Sequence, residues 1–202
     1  MDRVWKPETE ENGAPRVLFI NACVRPDSRT RQLAQEVLNK LGGQVLEVNL
    51  EQENILPLNR QSLQLRDECV EKRDFSHPMF RYAKQFAQAD EIVVAAPYWD
   101  LAFPSTVRIY FEAVTVTGIT FAYTPEGTPV GLCRAKRLIY VTTSGGEIGQ
   151  YNLGYDFVKA LDDCFYGIPE TLCFTAQKLD IQGMDVKQIM EDAKKAVQQT
   201  AL

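Results

Sequence analysis

A short apolar run that ends at a proline constrains the fold of this chain most strongly. Ile92-Val-Val-Ala-Ala96 carries no polar side chain, and Pro97 follows it directly. Such a run is typical of a strand that is buried on both faces, and strands of that kind occur in parallel sheets covered by helices. Pro97 lacks the backbone N–H that would extend the strand. The run therefore predicts a parallel sheet with helices on both sides.

The same strand pattern recurs along the chain. Residues 16–21, 44–49, 137–143 and 171–176 are predicted strands, and amphipathic helical segments separate most of them. Five strands alternating with helices predict one α/β fold, a doubly wound five-stranded parallel sheet with right-handed crossovers. The commonest strand order for such a sheet is 2-1-3-4-5, the flavodoxin-like arrangement. Residues 120–131 contain two prolines and two glycines, so we predict a small hairpin there.

The first fifteen residues differ from the rest of the chain. They are polar and acidic and contain two prolines, so residues 1–15 are predicted to be a flexible extension of a single domain at 16–202. They show neither a secretory apolar core nor a basic transit pattern, and no run of the sequence approaches membrane-spanning length. The five cysteines are odd in number and widely spaced, with no Cys-x-x-Cys. That usage fits a reducing compartment, and we expect a cytoplasmic protein without a membrane partner.

Charge and histidine content exclude two classes of function. The net charge is −5 and no cluster of Lys and Arg occurs, which argues against nucleic acid as a partner. His77 is the single histidine and precedes Pro78, a place typical of a helix cap or of a solvated side chain. One histidine cannot build a His-based zinc site, and we expect no bound metal.

The loop after the third predicted strand is rich in aromatic residues. It contains Tyr98, Trp99, Asp100 and Leu101. In open α/β sheets, ligands bind beyond the carboxyl ends of the strands, where the strand order reverses. We therefore interpret this loop as the holder of a flat, partly polar ligand. In the alternative interpretation, its aromatic side chains only cover the edge of the sheet.

The loop after the first strand has the features of an anion site. Ser28 and Thr30 stand at the start of a predicted helix, whose free N–H groups and dipole attract negative charge. Arg25 or Arg29 could add a charged contact to a phosphate. Alternatively, Ser28 is only a helix cap and the arginines are solvated. Neither Gly-x-Gly-x-x-Gly nor Gly-x4-Gly-Lys-Ser/Thr occurs, so a monophosphate is favoured.

A third loop, Thr142-Thr-Ser-Gly-Gly-Glu147, follows the fourth strand. Its hydroxyl groups and glycines allow backbone N–H groups to approach a planar ligand, although Ser-Gly-Gly is also a common turn. The three loops together supply a phosphate end, an aromatic wall and a polar edge. This combination fits flavin mononucleotide (FMN) better than any other common cofactor.

At these loops the sequence resembles the FMN-dependent NADH azoreductases and NAD(P)H:quinone oxidoreductases, from about residue 16 to residue 199. The most specific stretch, residues 96–105, reads Ala-Pro-Tyr-Trp-Asp-Leu-Ala-Phe-Pro-Ser and is similar to the family's Pro-Met-Tyr-Asn-Phe-x-x-Pro-Ser loop. Residues 118–124 and 129–132 follow in the family's order. The resemblance implies a flavodoxin-like fold, bound FMN and NADH or NADPH as electron donor.

The resemblance also implies roles for individual residues. The phosphate side would be formed by Cys23, Ser28, Arg29 and Thr30, the isoalloxazine side by Tyr98, Trp99, Asp100 and Leu101, and the pyrimidine edge by Thr143, Ser144, Gly145 and Gly146. Tyr123 and Phe165 would contact substrate, Phe165 from the partner subunit of a homodimer. Packing or dimer contacts are the alternative role for both.

Three positions depart from the family pattern. Cys23 replaces a serine near the phosphate, Asp100 replaces an asparagine beside the ring, and Ser144 replaces an arginine at its edge. A carboxylate near the reduced flavin disfavours the flavin anion, so we expect Asp100 to lower the redox potential.

The implied reaction is a ping-pong hydride transfer through flavin N5, with no catalytic side chain. Small aromatic electron acceptors would take the electrons: quinones first, with azo and nitroaromatic compounds as further substrates. The alternative function is that of a flavodoxin-type electron carrier or a redox-regulatory flavoprotein without its own substrate turnover.

Overall fold

The computed structural model describes residues 4–6 and 15–202. Most of the predicted N-terminal extension, residues 1–3 and 7–14, lies outside the described residues. Among the residues that are described, no helix is long and apolar enough to cross a membrane. The elements are β1 (Arg16–Asn21), α1 (Arg29–Leu41), β2 (Gln44–Asn49), α2 (Arg60–Lys72), a 3₁₀ turn (Pro78–Phe80), α3 (Arg81–Gln88), β3 (Glu91–Ala95), α4 (Ser105–Val114), β4 (Phe121–Tyr123), β5 (Pro129–Gly131), β6 (Arg137–Thr143), α5 (Leu153–Leu161), a π-helical turn (Asp162–Tyr166), β7 (Glu170–Ala176) and α6 (Val186–Gln199).

Five strands form the central sheet, and every pairing between them is parallel. Their order is β2-β1-β3-β6-β7. This arrangement matches the predicted order of the five sheet strands. The numbers differ from 2-1-3-4-5 because β4 and β5 lie between β3 and β6 in sequence and form a separate antiparallel hairpin. The predicted hairpin at residues 120–131 is thereby confirmed.

The position of β3 between two layers of helices explains why its residues 92–95 are apolar. All five of its residues are buried. Val93 and Ala95 belong to the core under α1 and α6, while Ile92 and Val94 belong to the core formed with α3, α4 and α5. Each fully buried Val or Ile contributes about 1.5–3 kcal/mol of transfer free energy. Helices on both faces therefore require apolar side chains at successive positions of this strand.

The carboxyl ends of β1, β3, β6 and β7 share one edge of the sheet. Because β1 and β3 are neighbours and the chain leaves them toward opposite sides, a crevice opens at this edge. After Pro97, the Tyr98 N–H donates to the Thr143 carbonyl at 3.1 Å, which joins the loop after β3 to the end of β6.

The hairpin packs against the π-helical turn that follows α5. Gly131 makes the contact, since a Cβ on this residue would lie 2.1 Å from the Tyr166 carbonyl oxygen. The rings of Phe121 and Phe165 lie beside this contact with centroids 4.7 Å apart. The hairpin and the turn thus form one structural unit.

Trp5 attaches the described part of the N-terminal segment to the domain. Its N–H donates to the Gly118 carbonyl at 2.8 Å, and its half-buried side chain packs on a cluster that includes Phe75 and Ile119. The Lys84 ammonium lies 5.8 Å from the centroid of the Trp5 ring. The segment therefore contacts the loop that leads into the hairpin.

Candidate functional site

A cavity of about 280 Å³ opens at the carboxyl edge of the sheet. Loops that follow β1, β3, β6 and β7 converge on it. Its lining residues are Val24, Arg25, Asp27, Ser28, Arg29, Thr30, Pro97, Tyr98, Trp99, Thr143, Ser144, Gly145, Leu179 and Asp180. The three loops singled out in the sequence therefore meet in space, together with a fourth.

The first end of the cavity is the start of α1. Ser28 caps the helix, because its hydroxyl oxygen accepts from the Arg31 N–H at 3.3 Å. The hydroxyls of Thr30 and Thr143 lie 2.7 Å apart and join α1 to the end of β6. Free N–H groups of a first helical turn, hydroxyls and a nearby guanidinium from Arg25 are groups that bind anions. Ser28 is thus a helix cap at the end of the cavity where groups of this kind lie together.

The two arginines of this loop have different surroundings. The Arg29 Nη1 donates to the Asp180 carboxylate at 2.8 Å and to the Leu179 carbonyl at 3.1 Å. Arg25 lines the cavity and is exposed. One nitrogen of the Arg29 guanidinium is therefore committed to the loop after β7.

The aromatic loop contains a strained turn. Asp100 and Leu101 have φ values of 50° and 68°, and the Ala102 N–H donates to the Trp99 carbonyl at 2.8 Å. Two successive positive φ angles are the pattern of a type I′ turn, which costs a non-glycine residue about 1–2 kcal/mol. Such strain is concentrated at functional sites. Tyr98 and Trp99 line the cavity, whereas Asp100 and Leu101 form the exposed apex of the turn beside it.

The glycine loop after β6 is held by its own residues and by the chain after β7. The Ser144 hydroxyl donates to the Gly146 carbonyl at 2.7 Å, so this side chain closes its own loop. The Leu179 N–H donates to the Ser144 carbonyl at 3.1 Å, and the Asp180 N–H donates to the Gly145 carbonyl at 3.0 Å. Gly145 lines the cavity, and Gly146 lies just outside it.

The loop after β7 was absent from the sequence-based site. Leu179 and Asp180 line the cavity although no motif marks them. The strand order could have identified these residues. The predicted fifth strand at residues 171–176 ends at the same edge of the sheet as the first, third and fourth strands, and ligands bind at that edge. That rule assigns the residues following this strand to the crevice.

Cys23 belongs to the loop after β1 and does not line the cavity. It is 5% exposed, and its Sγ is 3.9 Å from the Ala95 carbonyl oxygen. Burial raises the pKa of the Cys23 thiol, an effect that Ser28 and Arg31 partly oppose. The side chain is therefore a neutral thiol that packs beneath the loop.

Tyr123 and Phe165 lie away from this cavity. Tyr123 is on β4 and 55% exposed, and Phe165 is half-buried on the π-helical turn. The Phe121 ring contacts both, with centroids 5.4 Å and 4.7 Å away. A single subunit therefore does not bring the two predicted substrate residues to the loops that line the cavity.

The single histidine, His77, caps a short helical turn. The His77 Nδ1 accepts from the Met79 N–H at 3.2 Å and so caps the 3₁₀ turn at Pro78–Phe80. The expected capping role is confirmed. Within residues 4–6 and 15–202, no cluster of three or more His, Cys, Asp or Glu residues could hold a metal ion.

A family model described as a flavodoxin-like fold matches residues 15–201 of the chain. The chain belongs to this family. One relative is the FMN-dependent NADH:quinone oxidoreductase of Coprothermobacter proteolyticus, which is 32% identical over 198 residues, 92% of this chain and 98% of that protein. The enzyme of the same name from Lachnoclostridium phytofermentans is 34% identical over 188 residues, 89% of this chain and 94% of that protein. The recognised resemblance is thereby confirmed.

Solved structures of azoreductases share this flavodoxin-like fold. An azoreductase from Bacillus anthracis superposes with a TM-score of 0.77 at 22% identity, over 92% of this chain and all of that one. An FMN-dependent NADH-azoreductase from the same species, solved in complex with FMN, gives a TM-score of 0.74 at 21% identity, over 91% of this chain and 95% of that one. At this identity the likeness establishes the fold.

Proposed function

We propose that this flavodoxin-like protein binds FMN in the cavity and uses NADH to reduce quinones. The observation that carries the proposal is the convergence of four loops on one cavity, with anion-binding groups at the start of α1 and aromatic and glycine walls beyond it. The relatives that are 32% and 34% identical are named FMN-dependent NADH:quinone oxidoreductases, which supports the same cofactor and electron donor here.

The residues at the cavity fit the chemistry of FMN. The phosphate would lie at the first turn of α1, near the Ser28 and Thr30 hydroxyls and the Arg25 guanidinium. The isoalloxazine would lie against Tyr98 and Trp99. Gly145 lines the cavity and Gly146 lies next to it, so the backbone of this loop can approach the edge of a ligand. We propose these residues, with Arg29, Asp100, Leu101, Thr143, Ser144 and Gly145, as the cofactor site.

FMN, when bound, takes up a hydride from NADH and returns two electrons to an acceptor. The protein's part is binding, orientation and exclusion of water. In the strained turn, the Asp100 N–H makes no hydrogen bond to any described residue. This group could therefore donate a hydrogen bond to the isoalloxazine of FMN. The glycine loop supplies backbone N–H groups at the opposite edge. No nucleophilic side chain is required.

We further propose a ping-pong order, in which NADH binds beside Trp99 and leaves before the electron acceptor binds in the same space. A flat space between the bound flavin and Trp99 would select acceptors by shape, so azo and nitroaromatic compounds would be reduced as well as quinones.

The site would be completed in a homodimer. Tyr123 and Phe165 do not line the cavity of their own chain. Exposed apolar side chains lie on the loops beside the cavity and on the hairpin, namely Trp99, Leu101, Tyr123, Val130, Tyr151 and Leu153. Aromatic residues such as Trp99 and Tyr123 are enriched at interfaces. In the proposed dimer, Tyr123 and Phe165 face the partner's cavity.

The test begins with the purified protein. We expect the absorption bands of oxidised flavin, release of a monophosphate flavin by acid, and steady NADH oxidation with menadione, with NADPH as a second donor. Thr30→Val is expected to weaken FMN binding about 10- to 150-fold, because a hydrogen bond to a charged group contributes about 1.5–3 kcal/mol. Thr128→Val, on the hairpin, is the control.

Two results would count against the proposal. A colourless protein that takes up no added FMN would show that FMN is not the cofactor, and the proposed activity would fail with it. A protein that binds FMN but reduces menadione only in the presence of a separate reductase is instead an electron carrier or a redox-regulatory flavoprotein.

A further inference from the structure

We propose that Asp180 is a positioning residue of the cofactor site, holding Arg29 and the glycine loop in the arrangement that binds FMN. The inference rests on the proposed function, since it concerns the same cavity. It assigns a role to a residue of the loop after β7, which no sequence motif identifies.

The first observation is the contact with the phosphate end. The Asp180 Oδ1 accepts from the Arg29 Nη1 at 2.8 Å, and the Leu179 carbonyl accepts from the same nitrogen at 3.1 Å. A guanidinium has five N–H donors in a rigid fork, so committing one nitrogen sets the direction of the others. Arg29 is thereby oriented beside the first turn of α1.

The second observation is the contact with the glycine loop. The Asp180 N–H donates to the Gly145 carbonyl at 3.0 Å. The Asp180 Oδ2 lies 2.4 Å from the place where a Cβ of residue 145 would be. The carboxylate therefore packs directly on the Gly145 backbone, in the space that a side chain at residue 145 would occupy. Through its side chain and its backbone N–H, Asp180 thus connects two loops that are more than a hundred residues apart in sequence.

A purely electrostatic account makes the opposite prediction. The Arg29 and Asp180 side chains are 41% and 66% exposed, and exposed ion pairs contribute little to stability. On that account Asp180 is only a negative charge near the phosphate, and its removal tightens FMN binding. If Asp180 positions the two loops, its removal weakens binding although a repulsive charge is lost. The sign of the effect therefore distinguishes the two accounts.

The experiment measures the FMN dissociation constant by quenching of flavin fluorescence, without NADH, for the full chain and four variants. We expect Asp180→Asn to weaken binding about three- to tenfold and Arg29→Met to weaken it at least as much. The double variant should be no weaker than Arg29→Met, because both changes break one arrangement. Asp27→Asn, which removes another carboxylate lining the cavity, is the matched control and should bind FMN as tightly as the wild type or more tightly.

A second readout needs no cofactor. In the cofactor-free protein, hydrogen exchange of the backbone amides at residues 144–147 should be faster in Asp180→Asn and Arg29→Met than in Asp27→Asn. Asp180→Asn binding FMN as tightly as the wild type, additive effects in the double variant, or unchanged exchange would each overturn the inference. If the wild type binds no FMN, the proposed function fails, and the exchange rates still decide whether Asp180 positions the loop.

Discussion

The Tyr98 hydroxyl donates a 2.8 Å hydrogen bond to the backbone carbonyl of Tyr151. A second bond, from the Leu153 N–H to the Leu101 carbonyl at 3.2 Å, lies close by in sequence. The aromatic loop after β3 is therefore fastened to the chain that leads into α5. This connection gives the aromatic wall of the cavity a fixed position despite the exposure of Trp99.

Tyr98→Phe should weaken FMN binding about two- to tenfold, since a hydrogen bond of this kind contributes about 0.5–1.5 kcal/mol. The ring is kept and only the bond to the Tyr151 carbonyl is lost. Titration of FMN fluorescence measures the change. Tyr155→Phe, which removes a hydroxyl that donates to the Thr171 carbonyl at 3.2 Å outside the cavity lining, is the control. Equal affinities for Tyr98→Phe and the wild type would show that the loop keeps its position without this bond.

Gly131→Ala should lower the free energy of unfolding by about 1–3 kcal/mol, the usual cost of overpacking. The new Cβ would lie 2.1 Å from the Tyr166 carbonyl oxygen, so the hairpin and the π-helical turn must separate. Urea denaturation measures the loss. Gly146→Ala serves as the control because its Cβ would meet no atom within 4 Å. Similar stabilities for the two variants would contradict the close contact.

Asp162 is expected to make the stability of the protein depend on pH. It is 1% exposed, and its carboxylate accepts from the Ile168 N–H at 2.8 Å and from the Thr171 hydroxyl at 2.5 Å. Burial raises the pKa of Asp162 in the folded protein, and the two hydrogen bonds partly oppose this. The folded state then holds the proton more tightly than the unfolded state, so this group's contribution to stability falls as pH rises through the folded pKa.

Asp162→Asn removes that contribution. The wild type should therefore gain stability relative to the variant as the pH is lowered toward the ordinary aspartate pKa of about 3.9. Urea denaturation at a series of pH values measures the difference. Asp163→Asn, which removes an exposed charge from the next residue, controls for a general charge effect. A difference between wild type and Asp162→Asn that does not change with pH would contradict the expected shift.

Trp5→Ala should lower the free energy of unfolding by about 1–2 kcal/mol, roughly half the cost of truncating a fully buried aromatic residue. The half-buried indole would no longer cover the cluster around Phe75 and Ile119. Trp5→Phe should recover part of the loss because an aromatic ring is retained. If Trp5→Ala were as stable as the wild type, the N-terminal segment would add nothing to the domain.

Local patterns explain why much of the site was predictable. The proline after residues 92–96 marks the end of a strand, and Ser28 marks the start of a helix. Both signals are local and do not depend on residues elsewhere in the chain. Once the strand order is known, the loops after β1, β3 and β6 must share an edge. Eight of the twelve cofactor-site residues named from the sequence duly lie among the cavity's lining residues, and Cys23, Asp100, Leu101 and Gly146 lie next to it.

The sequence by itself determined the alternation of strands and helices, the hairpin and the three marked loops, because hydrophobic periodicity, prolines and helix caps act over a few residues. Only the tertiary structure decided that Asp180 meets Arg29 and Gly145, and that Tyr123 and Phe165 lie outside the lining of their own chain's cavity. Those relationships depend on how helices and loops pack across the sheet. Packing joins residues far apart in the chain, and no short pattern of residues records it.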